Sequence, residues 1–316
     1  MYYSFTYTAI SENHTHHSQP RLDFSPITLS DIPAINRALR KSTSRTCDYT
    51  IGGIYMWADY FKYEHCIIGD TLFMKGLTEN DRLTTAFSLP IGAMPIRKAV
   101  ELIEEYCAAH GLCQRFSAIP EEQVWRLIAG HRSSVELLTD WADYIYDANE
   151  LATLTGKKFN KKRNHVNHFL AEHPEAALLP LTTGIIPEVM DFIMRLEHDN
   201  SDTARAELAQ VVKVLDNYAA FPFEGAVLRL SPRGPIAAFT VGEVIGDTLY
   251  LHIEKMDHDI TGAGETINKL FAADMTARHG IAYINREEDC GDAGLRKAKL
   301  SYNPVFTLNK YNVILD

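Results

Sequence analysis

The sequence predicts a mixed α and β fold (α+β) built as two similar halves in tandem, and three observations lead to this class. The chain has 316 residues, enough for about two domains at roughly 150 residues each. Alternating apolar residues indicate short strands, and apolar residues three and four apart indicate helices between them. The order of elements in the first half returns roughly 150 residues later, which is typical of a duplicated module.

Composition excludes several classes of protein. Hydrophobic residues make up 46% and charged residues 23% of the chain, as in folded globular domains. The formal net charge of −10 argues against double-stranded DNA as a partner, because contact over a whole surface requires a basic protein. There is no run of about 18 apolar residues, so no membrane span is predicted. Residues 1–18 lack a secretory signal, and five cysteines without a CxxC pair predict reduced thiols and a cytoplasmic protein.

The second half gives the clearest pattern of elements. Three consecutive strands form a predicted meander, and Gly246-Asp247 between the last two is typical of a hairpin turn. A loop at 261–264 then opens a helix that Gly280 ends. The other predicted elements are strands at 176–181, 226–230, 236–244, 248–256, 281–285 and 305–315, and helices at 186–197, 203–219 and 294–300.

The first half repeats this order. Gly69-Asp70 again predicts a hairpin turn, and Ser30 is expected to cap the first helix. The predicted strands are 22–29, 65–68, 71–75, 83–89, 116–119 and 135–146, and two further helices are 96–109 and 121–128.

The chain between the halves is predicted to be helical and basic. Asp147 and Glu150 fit a capping box that starts one helix. Gly156 ends that helix, and a second helix runs to Pro174. The predicted organisation is a polar N-terminal tail (1–20), a first domain (21–146), a helical connector (147–175) and a second domain (176–316).

Two stretches carry a resemblance to a known family. Residues 144–165 read YIYDANELATLTGKKFNKKRNH, and residues 285–304 read NREEDCGDAGLRKAKLSYNP. Both stretches resemble a family of bacterial proteins that is similar to the C-terminal domain of phosphatidylglycerol lysyltransferase. The order of elements resembles the GNAT acyltransferase fold. The resemblance therefore implies two GNAT-like domains in tandem, each a mostly antiparallel sheet flanked by helices.

The same resemblance implies an activity. An acyl or aminoacyl group would pass from a phosphate-containing donor, acyl-CoA or aminoacyl-tRNA, to an amine or hydroxyl acceptor on a small molecule or peptide. No tightly bound cofactor is expected, because the donor acts as a co-substrate. The alternative hypothesis is a non-catalytic module that binds an anionic ligand on a degenerate GNAT scaffold.

The loop at 261–264 is the first candidate site, and it consists of Thr261, Gly262, Ala263 and Gly264. A loop that opens a helix presents free backbone N–H groups and a positive dipole end to an anion. In GNAT enzymes this loop holds the pyrophosphate of the cofactor, so the resemblance implies a donor site here. Asp259 stands where the family has Gln or Arg, and its carboxylate would repel a pyrophosphate. A plain strand-to-helix turn is the alternative.

Five positive charges within seven residues form the second candidate site: Lys157, Lys158, Lys161, Lys162 and Arg163. Lysines four residues apart are expected on one side of a helix, so four ammonium groups would share a face, with Phe159 and Val166 as apolar anchors. In an acidic protein such a face suits phosphate or the end of a tRNA. The alternative is a solvated helix paired with acidic neighbours.

Three residues are candidates for catalysis. His252 and Glu254 alternate with apolar residues on a predicted strand, which places both on one face. Acyl transfer to an amine needs a base, and a strand carboxylate is suitably placed in this fold. Tyr302 is a candidate to protonate the leaving group, a role that the GNAT resemblance implies. A polar outer face of a sheet is the alternative for the strand residues.

A charged stretch near the C-terminus, which also contains Glu287 and Asp289, is the substrate-binding candidate, through Arg286, Arg296, Lys297 and Lys299. Lys297 and Lys299 loosely match paired lysines of the lysyltransferase domain, a role that comes from the resemblance alone. Structural pairing among these charges is the alternative.

The first half lacks a comparable glycine loop. It has Leu89-Pro-Ile-Gly-Ala-Met-Pro95 at that place, where two prolines remove N–H donors, so this half is predicted to serve as scaffold or acceptor site. No metal site is predicted. Cys107 and Cys113 lack further ligands, and His14, His16 and His17 are interpreted as part of a polar tail.

Overall fold

The computed structural model describes residues 20–79, 81–196 and 202–316. Its strands are β1 (Ser25–Pro26), β2 (Glu64–Ile68), β3 (Thr71–Leu77), β4 (Thr85–Phe87), β5 (Arg115–Pro120), β6 (Ser133–Leu137), β7 (Asp143–Asp147), β8 (Ala177–Pro180), β9 (Phe223–Arg229), β10 (Ile236–Ile245), β11 (Thr248–Met256), β12 (Tyr283–Asn285), β13 (Phe306–Leu308) and β14 (Lys310–Leu315). Its α-helices are α1 (Ile32–Leu39), α2 (Ile51–Trp57), α3 (Ile96–His110), α4 (Glu121–Ile128), α5 (Ala148–Thr153), α6 (Asn160–Glu172), α7 (Ile186–Leu196), α8 (Asp202–Asp216), α9 (Ala263–His279) and α10 (Ala293–Leu300).

Two mixed sheets confirm the predicted fold class. The first sheet has the strand order β1-β2-β3-β4-β5-β14-β6, and the second has the order β13-β7-β12-β11-β10-β9-β8. Within each sheet one neighbouring pair is parallel, β4 with β5 and β11 with β12, and the other pairs are antiparallel. The hairpin turns at Gly69 and Gly246 are also confirmed, and both glycines have positive φ.

The two sheets exchange strands. β7 lies at the end of the first half in sequence but pairs with β12 and β13 of the second sheet, and β14 ends the chain but lies between β5 and β6 of the first sheet. The predictions of single strands at 135–146 and 305–315 are therefore wrong. Each stretch contains two strands that belong to different sheets. The crossings are short and have no glycine or proline, so the apolar pattern does not reveal them. The predicted domain boundaries stay a prediction.

Helix α2 is the main element that the sequence analysis missed. Its residues, Ile-Gly-Gly-Ile-Tyr-Met-Trp, contain two glycines that weaken helix propensity. Thr50 caps the helix by accepting a hydrogen bond from the backbone N–H of Gly53. A Cβ at Gly52 would lie 2.6 Å from Nε2 of His252, so this glycine lets α2 approach the second sheet closely. At the chain start, only Ser25–Pro26 of the predicted strand 22–29 is paired.

Helices cover both faces of the second sheet. Phe271 of α9 belongs to an apolar cluster on one face together with residues of α5 and α6. Val189 of α7 and Val214 of α8 pack on the other face, where Met56 of α2 joins them. A helix of the first half therefore contributes to the core of the second half, and the candidate residues described below lie where the two halves meet.

Candidate functional site

The loop after β12 organises the site. Glu287 has a positive φ of 59°, which is uncommon for a residue other than glycine and costs backbone energy. The buried Lys299 holds the loop by donating to the backbone carbonyl of Arg286 at 2.6 Å and to that of Glu288. The side chain of Asn285 accepts from the backbone N–H of Glu287 at 2.7 Å. In this loop conformation the side chain of Arg286 points toward α9, and the side chains of Glu287 and Glu288 point toward the first half.

Arg286 is the centre of one group of side chains, here called the Arg286 cluster: Arg286, Glu254, Tyr302, Lys162 and Glu265. The guanidinium donates to Glu254 at 2.8 Å and lies 4.8 Å from the ring centroid of Tyr302. The ammonium of Lys162 lies 3.9 Å from the ring centroid of Tyr302 and 3.4 Å from the carboxylate of Glu265. The cluster therefore joins α6, α9 and β11 through charge and cation–π contacts.

Two buried polar atoms of this region have no partner among the described residues. They are Nη1 of Arg286 and Oδ1 of Asn268, whose Nδ2 donates to Glu254 at 3.2 Å. A buried donor without a partner is costly, so Arg286 is equipped to donate to a bound oxygen atom. Burial raises the pKa of Tyr302 and lowers that of Lys162. Tyr302 therefore keeps its phenol proton at neutral pH.

His252 lies between two carboxylates. Its Nδ1 is 2.7 Å from Glu287 and its Nε2 is 3.0 Å from Glu243, which also accepts from the backbone N–H of Gly52 at 2.7 Å. Burial alone would lower the pKa of His252, but the hydrogen bonds to both carboxylates outweigh it and raise the pKa to about 10. The imidazole is therefore protonated at neutral pH. It holds Glu287 in place and has no free nitrogen to take up a proton.

The prediction that His252 and Glu254 share a face of the sheet is wrong. The β10–β11 register shifts at this point, because Val241 pairs with Ile253 while Gly242 pairs with Leu251. His252 is the extra residue of a β-bulge. It therefore contacts α2, whereas Glu254 contacts Asn268 of α9.

A further buried cation, Lys310, lies where the sheets meet. Its ammonium is 2.7 Å from Asp143, 2.8 Å from Asp48 and 3.5 Å from Glu288. Asp143 also accepts from Asn285 at 2.7 Å. The attraction of these carboxylates overcomes the effect of burial and raises the pKa of Lys310.

One group of possible metal ligands occurs among the described residues: Cys47, Asp143 and Glu288. The Lys310 ammonium already lies among these three, 3.3 Å from the Cys47 sulfur. A lysine ammonium supplies the positive charge there, so the group is a buried ion-pair network.

A cavity of about 70 Å³ opens in the first half next to this network. Glu287 and Glu288 reach it from the loop after β12, while α2 and β3 supply other parts of its wall. It is here called the acidic cavity. Its charged and aromatic lining consists of Asp48, Glu79, Glu287, Glu288, Lys75, Tyr49, Trp57, Phe61, Tyr63, Phe87 and Trp141.

The predicted glycine loop is packed against α6. Gly262 has a positive φ of 84°, and a Cβ there would lie 2.4 Å from the backbone oxygen of His165. Ala263 is fully buried, Gly264 contacts Met256, and Thr261 is exposed. In this structure Gly262 allows close packing of α9 against α6, and phosphate binding by the loop stays a prediction.

The five basic residues do not share one face. Lys157 and Lys158 lie in a 3₁₀ turn before α6, so the spacing of four does not align them with Lys161 and Lys162. Lys158 pairs with Glu150 at 2.6 Å, and Lys162 points into the Arg286 cluster. Lys157 and Lys161 are exposed and form no ion pair with any described residue. Phe159 and Val166 are buried anchors, as predicted.

Arg163 and the residues of α10 have mainly structural contacts. Arg163 donates to the backbone carbonyls of Leu154 and Gly156. Arg296 donates to Asp289 at 2.7 Å and to Asp140 at 2.7 Å. Burial would raise the pKa of Asp289, but bonds from Arg296 and Tyr144 lower it to about 2. Lys297 is exposed. The roles predicted for these residues stay predictions.

Several residues of the site were not predicted from the sequence. They are Asp48, Glu79, Asp143, Glu243, Glu288 and Lys310. The stretch Asn285-Arg-Glu-Glu-Asp289 gave a signal, since four charges directly follow an apolar strand. Lys310 and Asp143 gave none, because single charges at strand ends usually face solvent. His14, His16 and His17 of the predicted tail lie outside the described residues.

The two strand-exchanged sheets define a tandem GNAT-fold protein. The family model described as "Phosphatidylglycerol lysyltransferase, C-terminal" matches residues 39–314. The chain therefore belongs to this family, which places it among aminoacyltransferase-related proteins.

Three solved structures are similar to this chain. A conserved protein of unknown function from Bacteroides thetaiotaomicron is 31% identical, with a TM-score of 0.84, over 93% of this chain and 100% of that one. L-PGS from Bacillus licheniformis is 15% identical, with a TM-score of 0.61, over 92% of each chain. FemX is 9% identical, with a TM-score of 0.61, over 93% of this chain and 98% of that one. The last two likenesses concern the fold.

A curated relative, the uncharacterized protein MYCGA3080 of Mycoplasmoides gallisepticum, is 25% identical over 180 residues. The match covers 54% of this chain, and the chain spans 55% of the length of that relative. Among the described helices, none has the length and apolar character needed to cross a lipid bilayer.

Proposed function

We propose that this chain transfers an aminoacyl group from aminoacyl-tRNA to an amine or hydroxyl acceptor. One observation carries the proposal: the strained loop after β12 presents an incompletely bonded Arg286 to one side and the carboxylate of Glu287 to the other. A donor on the α9 side and an acceptor on the side of the acidic cavity would meet at this loop. Family membership supplies the class of reaction.

The surroundings of Gly262 favour aminoacyl-tRNA over acyl-CoA as the donor. The backbone around Gly262 packs against α6, which leaves little room for a pyrophosphate between the loop and that helix. Glu265 adds negative charge in the first turn of α9, where a pyrophosphate would need a positive dipole end. The exposed Lys157 and Lys161 offer charge to a nucleic-acid backbone nearby.

The transfer itself assigns roles to the two sides of the loop. The acceptor nitrogen or oxygen attacks the ester carbonyl and forms the new bond, while the bond from that carbonyl to the ribose oxygen breaks. Glu287 takes the proton of the acceptor. Arg286 stabilises negative charge on the carbonyl oxygen, and the protonated Tyr302 gives a proton to the departing ribose oxygen. No covalent bond to the protein forms.

Replacing the proposed base tests the reaction. Glu287→Gln keeps the size of the side chain but cannot accept a proton, so turnover should fall about 10²- to 10⁴-fold. The measurement is release of labelled amino acid from a mixture of charged tRNAs, with n-butylamine as acceptor. Glu122→Gln, on the exposed start of α4, is the matched control and should keep full activity. Binding of charged tRNA by the native chain without any release would favour a non-catalytic binding module instead.

Charge reversal tests the donor. Lys161→Glu should weaken tRNA binding about fivefold and lower its salt dependence by roughly one counterion, because one phosphate contact is lost. Filter binding at several salt concentrations provides the measurement. Lys98→Glu, an exposed lysine of α3, makes the same charge change elsewhere. Equal losses in both variants would mean that the connector does not contact tRNA.

A further inference from the structure

Strand β6 differs from the other end strands of the two described sheets. Those other strands are β1 and β13, which have two and three residues, and β8, which ends at Pro180. Short strands and prolines keep a sheet edge from pairing with another chain. β6 has five residues, contains no proline and pairs with β14 without a bulge. Its outer edge pairs with no described strand and is therefore open to a further strand.

The backbone of alternate residues points outward along this edge. Two hydrogen bonds of 2.9 Å, from the N–H of Leu138 to Lys310 and from the N–H of Asp316 to Arg132, show which residues bond to β14. Because backbone groups alternate along an antiparallel strand, the even-numbered residues in between also face β14. The residues whose N–H and C=O groups point outward are Ser133, Val135 and Leu137.

The sequence of β6 is complementary to itself. In an antiparallel arrangement of two copies centred on Ser134, each Ser133 lies opposite Val135 of the second copy. Both of these residues point their backbone groups outward, so the two copies exchange four backbone hydrogen bonds. Arg132 then lies directly opposite Glu136 at both ends, at positions where antiparallel strands bring side chains closest together.

The side chains of this edge are available for such a contact. Arg132 has a side chain that is 89% exposed, and it lies 3.8 Å from Asp316, which is too long for a hydrogen bond. Glu136 is exposed and forms no ion pair with a described residue. Val135 is exposed although it lies directly opposite the fully buried Val313 of β14. The apolar core of the first half therefore reaches the edge, where a second copy would cover it.

We propose that two copies of this chain dimerise through β6 in this register, so that their first sheets form one continuous sheet across a two-fold axis. The contact consists of the four backbone hydrogen bonds, two pairs of Arg132 with Glu136, and the two Val135 side chains, which meet as diagonal neighbours. It uses no residue of the Arg286 cluster or of the acidic cavity. The dimer and the proposed transfer can therefore be tested separately.

Sedimentation velocity of the full chain from about 1 to about 200 μM covers the affinities expected for a small interface. The native chain should pass from monomer to dimer over this range. Val135→Pro removes an N–H that points away from β14, so it should abolish the dimer and leave the Tm nearly unchanged. Val135→Thr keeps that N–H and should still dimerise. A native chain that stays monomeric, or a proline variant that dimerises as the native chain does, would overturn the proposal.

Charge exchange tests the register. Arg132→Glu or Glu136→Arg alone places like charges opposite each other at both ends, and each should weaken dimerisation about tenfold. The double variant restores two pairs of opposite charge, so its affinity should return to within about threefold of the native value. Lys98→Glu, at an exposed position of α3, adds the same negative charge and should not change the dimer. Failure of the double variant to recover would reject this register.

A cross-link locates the two-fold axis. Ser134→Cys places two thiols directly opposite each other, within reach of a disulfide, whereas Ser133→Cys places them diagonally and too far apart. With diamide as the oxidant, Ser134→Cys should give a covalent dimer on a non-reducing gel. The native chain, with its exposed Cys113 and Cys290, sets the background. Equal cross-linking of the two serine variants would show that the copies do not meet at Ser134.

Discussion

Glu287 is the residue on which the geometry of the site depends. Its left-handed backbone costs of the order of 1–3 kcal/mol in a residue other than glycine, and three neighbours compensate for this. Lys299 holds the carbonyls on both sides, Asn285 accepts from the Glu287 N–H, and His252 binds the carboxylate. Such a strained residue, aimed at a cavity, is more typical of a functional position than of a structural turn.

The raised pKa of His252 gives a test of this arrangement through stability. The folded-state pKa of about 10 lies above the unfolded value of roughly 6.5, so the protonated imidazole stabilises the fold. This contribution is fully present below pH 6.5, declines as the pH rises, and is lost by about pH 10. His252→Gln should therefore lower the free energy of unfolding most at pH 6 and least near pH 10.

Urea denaturation of both proteins between pH 6 and 10 measures this difference. His168→Gln serves as the control, because His168 is an exposed residue of α6 whose one ion pair with a described residue is to Glu172, and its effect should be small at every pH. A difference for His252→Gln that stays constant from pH 6 to 10 would mean that the imidazole is neutral in the folded protein.

At the scale of elements, α6 and α9 form the contact that shapes the donor side. Gly262 allows the start of α9 to lie directly against the backbone of His165, and Glu265 in the first turn pairs with Lys162 and His165. The loop that the GNAT resemblance assigned to a pyrophosphate is thus used to fix a basic helix next to the Arg286 cluster.

Gly262 and Gly280 have similar backbone conformations but different surroundings. Comparing substitutions at the two positions therefore separates the effect of packing from the effect of conformational preference. Gly262 has a φ of 84° and a blocked Cβ position, whereas Gly280 at the other end of α9 has a φ of 65° and no atom within 4 Å of that position. Gly280→Ala should cost only the left-handed conformation, about 1 kcal/mol. Gly262→Ala should lower the free energy of unfolding by about 2–4 kcal/mol, because a steric clash adds to the cost of the left-handed conformation. Urea denaturation compares the two, and equal losses would show that the α6 contact is loose.

Most individual elements could be predicted from the sequence, because their apolar periodicity and their turn or cap residues agree. β11, α4 and the Gly280 end of α9 are examples. The β-bulge at His252 could not be predicted, since a bulge depends on the neighbouring strand. For the same reason, alternation assigned His252 to the face of Glu254, whereas in the structure His252 contacts α2. Helix α2 was not predicted because Gly52 and Gly53 weaken the helical pattern. In the structure these glycines allow the helix to lie close to His252.

At the scale of the whole molecule, the strand exchange makes each half dependent on the other. β14 lies inside the first sheet although it ends the chain, and β7 lies inside the second sheet. Lys310 of β14 is paired with Asp143 of β7 at 2.7 Å. The exchanged strands are thus joined by a buried ion pair. Sequence order could not reveal this, because it suggests two separate modules.

The exchange predicts that the two halves unfold together. All three tryptophans, Trp57, Trp125 and Trp141, precede the connector, and Trp57 also packs against the apolar cluster that α2 shares with the second sheet. Tryptophan fluorescence therefore reports on the first half and on its contact with the second half, whereas far-UV circular dichroism reports on the whole chain. In urea, both signals should give the same midpoint. Loss of either sheet would strip a strand from the other and leave buried carboxylates without Lys310.

The substitution Lys310→Met gives a second test of the prediction that the two halves unfold together. The substitution removes the ammonium but keeps an unbranched side chain, which leaves Asp143, Asp48 and Glu288 buried without their cation. A loss of about 3–5 kcal/mol is expected, and both signals should shift to lower urea by the same amount. Lys41→Met, which breaks an exposed pair with Asp70, should cost less than about 1 kcal/mol. A different outcome is that the fluorescence midpoint shifts to lower urea while part of the circular dichroism signal still unfolds at the original urea concentration. In that case the halves fold as independent domains, and the exchanged strands do not couple them.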